Sequence, residues 1–400
     1  MMLALWSVYM SFVHIGQVWY GYGWEIELLE NGFLAIFLCP FLDGKPFSNK
    51  KTPLTMIVLY RWLAFRIMLG AGLIKLRGDD CWRDLTCLNF HYETQPIPNP
   101  ISPYLHHLPS WFHKLGVLYN HLAELILPFL VFGPRKARLF SGVLLVFFQI
   151  FLILSGNLSF LNWLTLVPML ACFDDRFLVR VFPFLAEKMK SKSLPLSKPR
   201  RVVLSCLAAL IAILSVNPVA NLFLSAQVMN TSFDSLSLVN TYGAFGTVGK
   251  VRYEIIFEGT SDEVISTATR WKAYEFPCKP GDIMRRPCVS GPYQRRLDWQ
   301  VWFAAMSNAK NEPWTVHLIW KLLHGDPLAL SLLSNNPFPD KPPTAIRATL
   351  FRYEFADPGD VSGAWWRRER IGEWLPPLTR EDPRIHEFLR AFAWMPNESR

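Results

Sequence analysis

Charge is scarce in this 400-residue chain: Asp, Glu, Lys and Arg make up 18% of it, against about 25% in an average soluble domain. Beside 30 Phe, 16 Trp and 51% apolar residues, that deficit excludes a disordered chain and argues against an ordinary soluble enzyme. Catalytic signatures are missing as well. No G-x-S-x-G elbow occurs, so the chain is not itself an obvious lipase. His386-Glu387 lacks the second His of a zinc-protease helix. Gly243, Gly246, Gly249 and Lys250 imitate a phosphate loop. Ala244 stands where that loop needs Gly, however, and Val251 follows the Lys, so a turn before a strand is expected. The first apolar run has no basic n-region and no small-residue cleavage site. No Lys-Asp-Glu-Leu signal is present, so any retention in the endoplasmic reticulum rests on membrane segments or partners.

Long apolar runs are abundant. Stretches 3–20, 54–76, 115–132, 137–155, 158–172 and 202–224 approach the ~20 residues that a bilayer requires. Gly32–Pro40 is shorter and reads as a re-entrant piece or the end of a helix that begins near Trp24. Residues 1–224 therefore form a multi-span region of net charge +8, and residues 225–400 a soluble part of net charge +1. The basic surplus belongs to the apolar half, which argues against a nucleic-acid partner.

Topology follows from the basic links. Lys45, Lys50 and Lys51 lie in link 43–53, and Arg135, Lys136 and Arg138 in link 133–138. Link 173–201 carries Arg176, Arg180, Lys188, Lys190, Lys192, Lys198, Arg200 and Arg201. Cytoplasmic loops collect Lys and Arg. If each run is crossed once, all three links share the cytosolic side, and loop 77–114 and residues 225–400 face the lumen. Link 173–201 reads as a solvated linker within reach of anionic lipid. Arg61, Arg66, Lys75 and Glu124 lie inside apolar runs. A charge at the bilayer centre costs about 2.5–3.5 kcal/mol on insertion scales, so a structural Arg–Glu pair inside the bundle is expected.

Residues 235–400 read as an α+β domain. Val251–Glu258, Trp271–Phe276 and Thr344–Phe355 have strand character. Leu297–Met306, Trp314–Leu323 and Arg384–Phe392 have helical spacing, and Asp326-Pro327 opens a short helix. Loop 77–114 contains repeated Pro, which forces extended backbone, with Trp82, Trp111 and Phe112 as interface anchors. His91, Glu93, His106 and His107 cluster there and could act as ligands or as acid and base, although nothing else supports that. Cys81 with Cys87, and Cys278 with Cys288, are two close pairs on one side and suggest disulfides in an oxidising lumen. Neither pair has C-x-x-C spacing, so redox catalysis and metal binding are disfavoured. Sequons stand at Asn157, Asn230 and Asn397, with Asn230 ranked first for a glycan.

Several stretches together carry a resemblance. They are Phe65–Lys75 (FRIMLGAGLIK), Phe90–Pro96 (FHYETQP), Ser155–Trp163 (SGNLSFLNW), Asn240–Gly246 (NTYGAFG), Tyr274–Asp282 (YEFPCKPGD), Leu297-Asp298-Trp299 and Asn335–Phe338 (NNPF). In this order the chain resembles the lipase maturation factors, most strongly the type 1 branch, over essentially its whole length. The resemblance implies a multi-pass endoplasmic-reticulum membrane protein with a lumenal C-terminus and no cofactor. It also implies non-enzymatic help in folding, dimer assembly and export of lipoprotein, hepatic and endothelial lipase. Membrane lipid and other lumenal folding factors are the further partners. Relative to that family the sequence is expected to lack an N-terminal region with at least one more span. A membrane enzyme distantly like the vitamin-K-dependent carboxylases is the alternative, and the His91/Glu93 loop would have to carry it.

Overall fold

Leu, Ile, Met and Phe fill a run between Pro53 and Gly78, and that run becomes a 24-residue helix, Leu54–Arg77. The computed structural model of the chain describes residues 1–38, 52–186 and 195–394. Within these the helices are α1 (Met2–Gly16), α2 (Gly23–Leu38), α3 (Leu54–Arg77), α4 (Leu88–Thr94), α5 (Ser110–His121), α6 (Arg135–Ser155), α7 (Leu161–Met169), α8 (Lys198–Leu214) and α9 (Val216–Phe223). Then come β1 (Arg252–Thr260), β2 (Lys272–Ala273), α10 (Arg296–Ala305), α11 (Trp314–Leu323), β3 (Ala345–Phe355), β4 (Trp366–Thr379) and α12 (Pro383–Ala391), with shorter turns of helix between.

The chain folds as two compact units that interleave in sequence. The helical unit is residues 1–89, 109–154 and 160–248, and the second unit is residues 90–108, 155–159 and 249–400. Hydropathy divides the sequence at residue 224, but the units divide after Val248, and two inter-helix segments join the second unit.

In the helical unit α3 packs against α2, α7 and α8. Met56, Leu59, Leu63, Ile67 and Met68 of α3 meet Leu127, Leu145, Phe148, Met169, Leu204 and Ile211 in one apolar core. Three helical stretches are long and apolar enough to cross a membrane: Leu54–Arg77, Arg135–Ser155 and Lys198–Phe223, the last joining α8 to α9. The run 33–42 is the end of α2 as far as Leu38, and its remainder lies outside the described residues. After α5, one π-helical turn at Leu122–Ile126 leads to Pro128 and the short helix Leu127–Leu130.

One end of this unit gathers basic side chains on helix termini. Arg61 donates to the Ala171 carbonyl (2.8 Å), Arg138 to that of Cys172 (3.0 Å) and Arg200 to that of Leu38 (3.3 Å). Arg135 pairs with Asp174 (2.5 Å). Lys45, Lys50, Lys51, Lys188, Lys190 and Lys192 lie outside the described residues. Around the C-terminus of α3, Arg77 donates to the Leu222 carbonyl (2.7 Å), and segment 240–246 crosses the helix face. A Cβ at Gly70 would lie 2.4 Å from the Tyr242 carbonyl oxygen, so glycine permits that crossing.

The second unit is built on an antiparallel sheet of order β2-β1-β3-β4. Arg252 pairs with Tyr353 and Glu258 with Ala273 in the ladder. Phe355 pairs with Trp366 across β3 and β4, with bulges along that register. Helix α10 packs on β1, and α11 on β3. Ile256, Tyr353, Phe355 and Trp366 form a small apolar core on one face. Asp326 caps the helix Pro327–Ser331 by accepting from Leu328 and Ala329. The expected strand Trp271–Phe276 is reduced to Lys272–Ala273.

Candidate functional site

Loop 77–114 is largely short helices, Asp80–Arg83, α4 and Ser102–His106, rather than extended backbone. Its central part, 90–108, is stitched into the second unit by one buried guanidinium. Arg252 opens β1 and is 1% exposed. It donates to the carbonyls of Glu93 (2.7 Å), Gln95 (2.5 Å) and Pro96 (3.0 Å), and its Nε donates to Glu254 (2.8 Å). Lys279 Nζ lies 2.7 Å from the other Glu254 oxygen, an ion-pair contact off the line of a hydrogen bond. Trp302 adds an indole donor to the Thr94 carbonyl (3.1 Å). Four consecutive loop carbonyls, Glu93 to Pro96, thus find donors inside the protein, as buried backbone groups must. Arg suits this position because its planar fork donates in several directions at once.

The second inter-helix segment, 155–159, is held by Asn157. Its Nδ2 donates to the carbonyls of Pro98 (3.3 Å) and Cys288 (2.9 Å). Its Oδ1 accepts from the amides of Ser290 (2.8 Å) and Gly291 (3.2 Å). Gln95 donates to the Ser155 carbonyl (3.0 Å), and a Cβ at Gly156 would fall 1.8 Å from the Gln95 side-chain oxygen. Asn157 is buried, with both its amide nitrogen and its amide oxygen hydrogen-bonded. Asn230 is exposed, with only its Oδ1 engaged, by the Gly243 amide (3.3 Å). Asn397 lies outside the described residues.

Cys278 and Cys288 are bonded, with Cα atoms 5.3 Å apart, and close a loop that ends at Cys288, whose carbonyl Asn157 contacts. Cys81 and Cys87 are bonded in the helical unit, Cα to Cα 4.7 Å. Trp82, between them, is buried rather than an interface anchor, and its indole donates to the Phe245 carbonyl (2.8 Å). Trp111 is exposed.

Of the four-residue cluster in loop 77–114, the structure brings Glu93 and His106 together at 3.7 Å. His107 turns to the Ala356 carbonyl (3.0 Å), and His91 is buried against the Tyr92 ring. Burial pushes the Glu93 carboxyl above its usual range, while the Phe355 amide it accepts (2.7 Å) and the nearby Arg252 pull the other way. Among the described residues no group of three or more His, Cys, Asp or Glu could hold a metal ion.

The intramembrane charges have partners. Lys75 donates to Glu124 (2.6 Å) and Asn120 (2.9 Å), and the π-helical turn carries Glu124. Arg66 pairs with Glu30 and donates to the Asn240 carbonyl (2.7 Å). Arg61 meets the Ala171 carbonyl rather than a carboxylate. Glu30, Asn157 as a hub, and Arg252 were not singled out from sequence for these roles. A buried acid in a helix with weakened hydropathy, facing an intramembrane Arg, is the signal that could have found Glu30.

Such a helical unit, with three stretches able to cross a membrane, and an α+β unit assembled partly from its inter-helix segments, define a helical membrane protein with an additional α+β unit. The lipase maturation factor transmembrane domain matches residues 1–180, and the lipase maturation factor C-terminal domain matches residues 238–376. Lipase maturation factor 1 of Homo sapiens is 51% identical, over 98% of this chain and 73% of that relative. The Mus musculus protein of the same name is also 51% identical, over 98% and 72%. Lipase maturation factor 2 of Rattus norvegicus is 30% identical, over 98% and 71%. No solved structure matches. The chain belongs to the lipase maturation factor family, and it is nearer to these type 1 relatives than to the type 2 relative.

Proposed function

We propose that this chain is a maturation factor of the endoplasmic-reticulum membrane that assists folding, dimer assembly and export of secreted lipases, with lipoprotein, hepatic and endothelial lipase as clients. The observation that carries this reading is 51% identity to lipase maturation factor 1 across 98% of the chain. The mechanism is binding without chemistry. The second unit leaves Tyr104, Met284, Tyr293 and Leu328 exposed, and such side chains can cover apolar surface on a folding intermediate. Shielding that surface suppresses aggregation. In cells lacking the endogenous factor, restoring this chain is expected to raise secreted lipoprotein lipase activity per unit of lipase protein. No recovery from a chain that is normally expressed and inserted would sink the proposal.

One specific observation keeps an enzymatic reading in view, the Glu93–His106 approach at 3.7 Å. The variant E93Q/H106N keeps an acceptor for the Phe355 amide while removing acid–base capacity. It is expected to retain lipase maturation, and loss of activity in a well-folded variant would favour the enzyme.

The topology proposed is multi-pass, with α1 and α2 crossing as a hairpin and the C-terminus lumenal. Helix α2 has 16 residues, a rise of about 24 Å, which spans much of the hydrocarbon layer. With each later apolar run crossed once, links 43–53, 133–138 and 173–201 share the cytosolic side and residues after 224 lie in the lumen. A single endoglycosidase-sensitive glycan at Asn230 is therefore expected, lost in N230Q. A shift that survives N230Q and disappears in N157Q would contradict the burial of Asn157.

A further inference from the structure

We infer that the segment 173–186, together with the start of α8, is a docking surface for the anionic headgroups of one membrane leaflet. Within link 173–201 eight basic residues face three acidic ones, Asp174, Asp175 and Glu187. Asp174 is already committed. It pairs with Arg135 (2.5 Å), lies 3.7 Å from Arg138, and accepts from the Phe177 amide (3.0 Å) as the cap of the short helix Asp175–Val181. The hydrogen bond from Arg135 leads in holding its carboxyl down at about 2. Arg176, Arg180, Lys198 and Arg201 are exposed, and none has an ion-pair partner among the described residues.

Beside these free cations the chain exposes Val181, Phe182 and Phe184, the last at 69%. Phe173 and Phe177 of the same segment stack on each other, ring centroids 4.9 Å apart. A solvated linker gains nothing by exposing two phenylalanines. An interfacial segment does, because aromatic and aliphatic groups enter the acyl boundary while Lys and Arg remain at the headgroups. The surface is continuous in sequence with α7 and α8, so it has a leaflet within reach. Its charge selects a phosphatidylserine-like headgroup over a zwitterionic one.

The test uses the full chain in detergent, titrated with mixed micelles of phosphatidylserine or phosphatidylcholine while the thermal midpoint is followed. Phosphatidylserine is expected to raise the midpoint at lower concentration than phosphatidylcholine. The preference should fade in about 0.5 M salt, where screening shortens the reach of exposed charges. R176Q/R180Q/K198Q/R201Q should need roughly a thousandfold more phosphatidylserine for the same rise. F182S/F184S should weaken the response to both lipids. K250Q/R270Q/K310Q, which removes exposed cations from the second unit, should respond as the parent does. If the fourfold variant does not fold in phosphatidylcholine, R176Q/R180Q takes its place, with a loss of roughly thirtyfold. Equal responses to the two lipids, or a parent-like response from the neutralised variant, would overturn the proposal. Lipase maturation by such a variant is a separate readout, so failure here leaves the client reading standing.

Discussion

Replacing Arg252 with Ala is expected to cost about 3–5 kcal/mol and to release segment 90–108 from the sheet, because it breaks a buried charge network. The loss has two sources. Glu254 keeps Lys279 at 2.7 Å but loses its closer guanidinium. The carbonyls of Glu93, Gln95 and Pro96 lose their donor at once, and each buried orphan costs about 1–3 kcal/mol. The conservative R252K separates these sources. If charge dominates, R252K stays near the parent. If the fork of donors dominates, R252K falls most of the way to R252A, and that is the expected outcome. Even R252M/E254M should fail to recover, since the three carbonyls remain unpaired and the buried Lys279 ammonium loses its carboxylate. Hydrogen exchange at residues 90–108 in the full chain reads the release directly. Secreted lipase activity should fall with it. Unchanged exchange in R252A would mean that the loop is held by its other contacts, Trp302 and Glu93 among them.

How much of this was legible in sequence depends on whether burial left a mark in composition. Helix α3 shows plainly, because a 24-residue run rich in Leu, Ile, Met and Phe has few other uses. Helix α2 is masked by Glu25, Glu27 and Glu30. All three are buried, and their partners come from distant chain: Tyr9, Thr165, Arg66 and Tyr242. Hydropathy counts those acids against a span without seeing what satisfies them. Strand β4 is masked in another way. Arg367, Arg368, Glu369, Arg370 and Glu373 give it no apolar alternation, since an edge strand is guarded by charge. The site divides along the same line. Close Cys pairs announce themselves by spacing, but nothing in a lone Arg at residue 252 says that its partners are carbonyls more than 150 positions earlier. The sequon at Asn157 records side-chain type and says nothing of the burial that the fold gives this residue.

The pair Glu30–Arg66 should respond to mutation more sharply singly than doubly. Both side chains are buried, at 1% and 2% exposure. Removing Arg66 strands a carboxylate in the apolar bundle, and removing Glu30 strands a guanidinium. Each is expected to cost about 3–5 kcal/mol, and replacing both by residues of similar volume, as in E30M/R66M, should recover part of that. Recovery should stop short of the parent because the pair also organises the segment entering the second unit. Glu30 accepts from the Tyr242 hydroxyl (2.7 Å) and the Asn240 amide (3.2 Å), and Arg66 donates to the Asn240 carbonyl (2.7 Å). Y242F, which deletes one hydroxyl and leaves the backbone crossing at Gly70 untouched, should cost only about 1–2 kcal/mol. Thermal midpoints of the full chain in one detergent give the ranking: parent, then Y242F, then the double variant, then either single variant. Additive losses in E30M/R66M would show that the two side chains contribute through separate contacts. The ion pair would then be incidental to how segment 240–246 is held against α3.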